Sequence, residues 1–321
     1  MELSKKGVFF TFIAIFLVVL IISAVATRKS YRYTERTNSI STRIDTLNDF
    51  IEDYQKEVDR ELFIGGYRSL ISMNAYTRIT QGYLTEVSGL FTEILVNGTA
   101  NGTQMDLMKQ EGIGADIESW LVRVNEEANL LNIHVDVTVN SVSLSHISPW
   151  EVDLRLNMTS HIYDNKGIAS WEIGNVYSRV FSIQGFEDPL YTIGSGDKMT
   201  VLINETPSTD FVDDVTNDTT TLISHITRTY YISSNTAPSW LMRFTGNLSP
   251  SEYGIESLVD ISYLSSQGRP IEARSIVDYI YFANETTTDY CTVQNMPEWF
   301  RIDDDHLEVY EIDRLTKVIC T

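Results

Sequence analysis

The segment KKGVFFTFIAIFLVVLIISAVATRK, residues 5–29, decides how this chain is organised. Its apolar part runs from Val8 to Ala26 and is flanked by basic residues on both sides. A helix needs about 20 apolar residues to cross a bilayer with all of its backbone groups bonded internally. The sequence therefore predicts a signal or transmembrane anchor over residues 1–26, in contact with the lipid bilayer through Val8 to Ala26.

Three processing fates are open for this segment. Ala24-Val25-Ala26 is an A-x-A triplet of the kind that signal peptidase cleaves, and cleavage there would release a soluble secreted protein. Without cleavage the segment stays as a plain membrane anchor. A third fate follows from a resemblance in the residues before and within the apolar run.

Lys5-Lys6-Gly7 followed by Val8-Phe9-Phe10-Thr11-Phe12-Ile13 resembles the class III signal of type IV pilins and archaeal pilin-like surface proteins. The resemblance covers the N-terminal helix only. It implies cleavage between Gly7 and Val8, with the apolar helix retained for anchoring and assembly. Filament-forming pilins usually carry Glu at the fifth mature position, where this chain has Phe12, so the resemblance implies a pilin-like anchor more than a long filament.

Seven N-x-S/T sequons indicate which side of the membrane the bulk of the chain occupies. Composition alone gives roughly three or four, so the excess is about twofold. The acceptor residues are Asn97, Asn101, Asn157, Asn204, Asn217, Asn247 and Asn284. This number favours an extracytoplasmic glycoprotein, although a Thr-rich composition also produces such triplets.

The two cysteines, Cys291 and Cys320, point the same way. In an oxidising compartment they are expected to form a disulfide that contributes roughly 3 kcal/mol, the alternative being two unrelated buried thiols. The positive-inside rule points the other way, because the basic flank from Arg28 to Arg36 outweighs Lys5 and Lys6. We give the sequons and cysteines more weight and predict a single-pass cell-membrane protein with an extracytoplasmic bulk.

Composition excludes one class of partner. The chain has 321 residues, with 44 acidic against 24 basic side chains and a net charge of -20. Such a surface repels phosphate backbones, so nucleic acid is not expected to bind. Partners expected besides the bilayer are other pilin-like subunits or envelope components.

Residues 27–95 are predicted to form an extended helical stalk and a second helix. Apolar side chains recur there at spacings of three and four, at Ile40, Ile44, Leu47, Ile51, Tyr54, Val58 and Leu62. One helix from Val8 to Phe63 would reach about 50 Å beyond the bilayer. Packing of this stripe on the protein's own sheet is favoured over an intermolecular coiled coil. Gly65-Gly66 predicts a break before a second helix from Tyr67 to Leu95.

The remaining chain completes an α+β fold. Residues 104–185 predict a helix from Gly114 to Asn132 and then an antiparallel meander, because apolar and polar residues alternate after Asn132. A soft boundary near Gly185 opens a strand-rich C-terminal domain over residues 186–321. Its predicted elements are strands at Met199–Ile203, Ser275–Phe282 and His306–Ile312, an ambiguous segment at Thr219–Ile232 and a short helix at Pro238–Phe244.

Few residues suggest chemistry, and each has a structural alternative. Ser195 and Lys198 match the S-x-x-K pattern of serine acyl-transfer enzymes, but they lie in a predicted turn. The acidic groups around Asp213 and around Asp303 with His306 lack the spacing of a calcium loop, so solvated turns are expected. The scattered histidines indicate no zinc site. The tryptophans are expected in the core.

Two functional hypotheses follow. The favoured one is a non-enzymatic, membrane-anchored surface protein with a role in cell-surface assembly, adhesion or envelope structure, without cofactor, metal or catalytic residues. The alternative is an anchored or secreted extracytoplasmic hydrolase whose site is assembled from distant residues. A pocket that gathers carboxylates with His306 or Ser195 would favour the alternative.

Overall fold

One continuous helix forms the spine of the molecule in the computed structural model, which describes residues 5–110, 113–283, 289–294 and 296–320. This helix, α1 (Lys5–Thr80), contains 76 residues and passes from the N-terminal apolar segment into the folded body. At 1.5 Å per residue it is about 114 Å long. The prediction that membrane segment and stalk form one helix is confirmed.

The predicted helix break at Gly65-Gly66 is wrong, because α1 continues through both glycines. A Cβ at Gly65 would lie 2.8 Å from the backbone oxygen of Ala115, and one at Gly66 would lie 2.7 Å from Leu154 Cδ2. The glycines therefore let other parts of the chain approach the helix closely. Their cost in helix propensity is about 1 kcal/mol each, which tertiary packing can offset.

The predicted apolar stripe packs on the protein's own sheet from Leu47 onward. Leu47, Tyr54, Val58 and Leu62 are at most 3% exposed. Ile40, near the membrane segment, is 39% exposed. At 1.5 Å per residue the helix rises about 24 Å from Leu47 to Phe63, so about half of the predicted reach of about 50 Å lies inside the folded body.

Two helices follow α1 and pack against it in a helical layer. The region predicted as a second helix, Tyr67 to Leu95, contains the end of α1, a short link and most of α2 (Val87–Asn97). Glu86 caps α2, since its carboxylate accepts hydrogen bonds from the backbone of Ser88 and Gly89. Two small hairpins come next, formed by β1 (Thr99–Ala100), β2 (Thr103–Gln104), β3 (Lys109–Gln110) and β4 (Ile113–Gly114). The predicted helix at Gly114–Asn132 is present as α3 (Ile117–Leu130).

The predicted meander is confirmed as a three-stranded antiparallel sheet. Its strands are β5 (Ile133–Ser148), β6 (Glu151–Asp164) and β7 (Ser170–Ser182), with β6 in the centre. On β6, Val152, Leu154, Leu156, Met158 and Ile162 are buried and point to one face. Residues between them are mostly polar and more exposed, so one face of the sheet covers the core and the other meets solvent.

The C-terminal region carries short elements joined by turns. Four strands form two antiparallel pairs, so the strand-rich prediction is confirmed. In chain order the elements are α4 (Pro189–Ser195), α5 (Thr220–Thr227), β8 (Tyr231–Ser233), α6 (Trp240–Arg243), β9 (Ile255–Ser257), α7 (Ile261–Ser266), α8 (Asp278–Tyr281), β10 (Cys291–Val293) and β11 (Val318–Cys320). The ambiguous segment at Thr219–Ile232 holds α5 and the start of β8, and the predicted helix at Pro238–Phe244 contains α6.

Three predicted C-terminal strands are wrong. Met199–Ile203 makes an isolated bridge between Leu202 and Glu187, Ser275–Phe282 contains helix α8, and His306–Ile312 consists of tight turns. The alternation there does not reflect a pleated surface. Polar side chains such as Asp278 are instead directed into buried contacts by turns and short helices.

The hydrophobic core is continuous along the folded part of the chain. It runs from Leu47 on α1 to Leu315 near the C-terminus, on both sides of the predicted boundary at Gly185. Phe186 belongs to this cluster and lies against Tyr67 of α1, with ring centroids 5.2 Å apart. The helical layer, the sheet and the C-terminal region thus share one core.

Candidate functional site

The apolar segment of α1 is the most prominent surface feature of the described chain. Phe9–Arg32 has a mean hydropathy of 3.0 over its best window, and none of that window is buried. Phe12 is 75% exposed. Within the described residues this is the one helix long and apolar enough to cross a membrane, and a signal sequence would meet the same criteria.

The predicted processing positions lie at the beginning of this helix. Gly7 and Val8 are within the first turn of α1, and the segment that follows makes no buried contact with the folded body. Cleavage between them would leave the apolar segment attached to the body. Ala24, Val25 and Ala26 are also helical and exposed, so both candidate cleavage positions lie outside the folded body.

The first described polar contacts between α1 and the sheet lie a short distance after the apolar segment. Arg43 donates hydrogen bonds to the carboxylate of Asp164 and to the backbone oxygen of Asn132. Burial raises the pKa of Asp164, but hydrogen bonds from Arg43 and from the backbone of Ile168 outweigh this effect, so its pKa is lowered. The helix rises about 16 Å between Arg32 and Arg43, which leaves a short free stalk.

The sequon asparagines lie at the surface of the described chain. Asn97, Asn101, Asn204 and Asn247 are exposed, Asn157 and Asn217 are partly exposed, and Asn284 lies outside the described residues. Asn101 occupies a hairpin turn with φ of 47°. Its side-chain nitrogen donates to the hydroxyl of Tyr76 at 2.8 Å. The six described positions are spread over the helical layer, the outer face of the sheet and the C-terminal region.

The predicted disulfide is present between Cys291 and Cys320. Strands β10 and β11 place the two residues opposite each other, with Cα atoms 3.9 Å apart. The pair closes the C-terminal segment onto the body. Asp304 lies near both sulfur atoms, but sulfurs bonded to each other offer no thiolate for a metal.

A buried charge cluster centred on Arg243 is not predicted by any sequence pattern. Its guanidinium is completely buried and contacts Asp188 at 2.6 Å and Asp278 at 2.8 Å. Burial lowers the pKa of Arg243, but the two carboxylates outweigh burial and raise it. Tyr231 donates to Asp188, and Ser257 donates to Asp278. The cluster joins β8, α6, β9 and α8 to the residue that caps α4, and all five side chains are fully buried.

The acidic turn at Asp303 contains a second buried charge cluster. The predicted solvated turn is therefore correct for only some of its residues. His306 is 4% exposed and lies 2.5 Å from Asp303 and 3.4 Å from Glu256. Burial lowers its pKa, but the hydrogen bonds and charges of these carboxylates raise it to about 10. The imidazolium therefore supplies the positive charge between the two carboxylates. Asp304 and Asp305 are exposed, as predicted.

Ser195 and Lys198 do not form a catalytic pair. The Ser195 hydroxyl accepts from the backbone nitrogens of Lys198 and Met199, and Ser195 is 1% exposed. It closes the turn after α4. The Lys198 side chain is exposed. Asp213 likewise accepts from Val215 and Thr216 in an exposed turn, as predicted.

The tryptophans occupy the core or its edge, as expected. Trp240 is fully buried, and its indole nitrogen donates to the backbone oxygen of Glu187 at 3.1 Å. Trp150, Trp171 and Trp299 are partly buried and pack against the core. Their packing accounts for their positions without a sugar-binding surface.

Comparisons with protein-family models, with curated proteins and with solved structures gave no match.

Proposed function

We propose that this chain is a non-enzymatic, membrane-anchored surface protein with its folded body outside the cell. The observation that carries the proposal is the continuity of α1, whose apolar segment is wholly unpacked while its later part is the spine of the body. Removing a fully exposed apolar segment of this length from water strongly favours insertion into lipid. The same helix would then hold the body close to the outer side of the bilayer.

Surface features support the extracytoplasmic side. A disulfide persists in oxidising compartments and is rare in the cytosol. The six described sequon asparagines are exposed or partly exposed, as glycan attachment requires. The net charge of -20 keeps such a body soluble and separate from other acidic surfaces.

We further propose that the protein is pilin-like in its processing and takes part in cell-surface assembly, adhesion or envelope structure. The support is the Lys5-Lys6-Gly7 signal and the arrangement of a long N-terminal helix packed on an antiparallel sheet. Phe12 stands where filament-forming pilins carry Glu. The proposal is therefore an anchored subunit or envelope component, with pilin-like proteins as partners.

Mass spectrometry of the mature N-terminus tests the proposal. A start at Val8 is the expected result and supports the pilin-like route. A start at Met1 would support an unprocessed anchor and contradict pilin-like processing. A start at Thr27, with the protein in the culture medium, would contradict anchoring altogether.

A further inference from the structure

Helices α1 and α3 form a groove on the surface of the folded body. Its volume is about 450 Å³, within the range of small-molecule sites. Tyr54 and Trp120 lie at its base, with ring centroids 5.7 Å apart, and Phe50 lies next to Tyr54. Ile64 and Val124 add apolar surface on the two sides. We call this space the α1–α3 groove.

The charged residues of the groove are predominantly acidic. Its acidic side chains are Asp53, Glu57, Glu61 and Glu127, against Arg60 and Arg123. Arg60 is largely exposed, and Arg123 already donates to the backbone oxygen of Gly114. An anionic, aromatic groove is complementary to a cation with an apolar body, because ammonium groups are attracted both to carboxylates and to aromatic faces.

Glu61 is an unusual member of this lining, because it is 9% exposed and has an unsatisfied oxygen. Its Oε2 lies 3.5 Å from Arg123, while Oε1 is buried and accepts no hydrogen bond from any residue that the structure describes. An unpaired buried carboxylate oxygen is costly and is expected to have a partner.

A water molecule beneath the groove is a poor partner for that oxygen. The space on that side of Glu61 measures about 10 Å³ and is otherwise lined by apolar side chains, including Val58, Leu95 and Met158. A buried water needs two to four polar partners, and this space offers one. Glu61 also lines the open groove, so a donor bound there approaches its carboxylate from the groove side, while Oε1 itself is buried.

We propose that the α1–α3 groove binds a small organic cation with an apolar body, such as an arylalkylammonium. Its ammonium group would donate to Glu61, and its apolar part would lie on Phe50, Tyr54 and Trp120. This site is independent of the anchoring function, since it lies entirely within the folded body.

Binding is expected to depend on pH. Burial raises the pKa of Glu61 to about 7, against the attraction of Arg123, while Asp116 raises this pKa further and Arg68 lowers it. Glu57 on α1 also raises the pKa of Glu61. Because an ammonium group binds a deprotonated carboxylate more strongly than a neutral carboxylic acid, affinity should rise as pH increases from 5.5 to 8.5. A primary alkylamine stays protonated over this range, as the lysine side chain does.

The test is titration of the full-length protein in lipid nanodiscs with 2-phenylethylammonium chloride, followed by calorimetry and Trp fluorescence. We expect saturable binding that weakens at least tenfold in Glu61→Gln, which keeps the side-chain shape. The matched control Glu57→Gln, at the exposed rim, should change affinity less than threefold. Val124→Trp, which fills the groove, should abolish binding while the Arg43 and disulfide regions keep their NMR shifts.

Neutral 2-phenylethanol and anionic 3-phenylpropionate serve as matched probes. Binding of the neutral probe as tight as that of the cation would overturn the assignment of charge recognition. Absence of saturable binding, or an unchanged affinity in Glu61→Gln with its fold confirmed by NMR, would overturn the proposed site. Neither outcome bears on the mature N-terminus, so the groove and the anchor are tested separately.

Discussion

Replacing Gly65 by alanine is the sharpest test of how α1 packs. The added Cβ would lie 2.8 Å from the backbone oxygen of Ala115 and 3.2 Å from Leu95 Cδ1. Because the nearer atom belongs to the backbone, relief requires α1 to move away from the segment before α3. Gly66→Ala differs, since its Cβ would meet the ends of the Leu154 and Phe181 side chains, which can adjust.

The expected magnitude follows from two opposing effects. Overpacking typically costs about 1 to 3 kcal/mol, whereas alanine gains about 1 kcal/mol over glycine in a helix interior. We therefore expect Gly65→Ala to lower the free energy of unfolding by up to about 2 kcal/mol, and Gly66→Ala to lower it less. Gly82→Ala, just after the end of α1, is a control for a glycine with free space around it, because its nearest neighbouring atom would be 3.7 Å away.

Urea unfolding of the detergent-solubilised chain, followed by Trp fluorescence, measures these differences. The slopes of the three variants should match the wild type, so that midpoints can be compared directly. A higher midpoint for Gly65→Ala than for the wild type would refute the reasoning. It would mean that helix propensity outweighs packing at Gly65 and that the close approach of Ala115 is absent.

Three further predictions concern the C-terminal region. Arg243→Met should lower the free energy of unfolding in urea by about 3 to 5 kcal/mol, because Asp188 and Asp278 would stay buried without their cation. Replacing the exposed Arg60 by methionine should lower it by less than about 0.5 kcal/mol. Replacing both cysteines by serine should cost about 3 to 4 kcal/mol, given their separation of 29 residues, and a reductant should then leave the melting temperature unchanged. The pKa of His306 is raised from 6.5 to about 10, so its stabilising contribution is complete below pH 6.5 and is lost as pH rises through 10. His306→Gln should remove this decline from the free energy of unfolding measured as a function of pH. A decline that persists in the variant would contradict the ion pair.

The helical and sheet periodicities explain why the first half of the fold is predictable. The stripe containing Leu47, Tyr54 and Val58 and the alternation in β6 both arise from one face being buried, which leaves a direct trace in sequence. The helix break predicted at Gly65 and Gly66 is wrong, because a glycine that ends a helix and one that allows close packing cannot be distinguished in the sequence. Only the approach of Ala115 and Leu154 distinguishes them.

The C-terminal region is less predictable because its elements are held by long-range polar contacts. Arg243 meets Asp188 and Asp278 from separate elements, and no local spacing links them. Short apolar alternations such as His306–Ile312 are therefore overruled by turns that direct His306 toward Glu256. These contacts leave no periodic trace.

Glu61 did leave a signal that could have been found. It lies seven residues after Tyr54 and fourteen after Leu47, so it falls on the buried stripe of α1 although it carries a charge. A carboxylate at such a position predicts either an ion pair or a ligand. The sequence cannot show that α3 leaves a groove beside it.

Labelling of intact cells with a membrane-impermeant reagent that modifies lysine amines tests the central claim most directly. Lys56 and Lys198 are exposed on the folded body, the Lys56 side chain to 72%. The account predicts that mass spectrometry finds both lysines modified before the cells are broken open, with a cytoplasmic protein unmodified as control. Modification of these lysines only after lysis would contradict an anchored body on the outer side of the membrane.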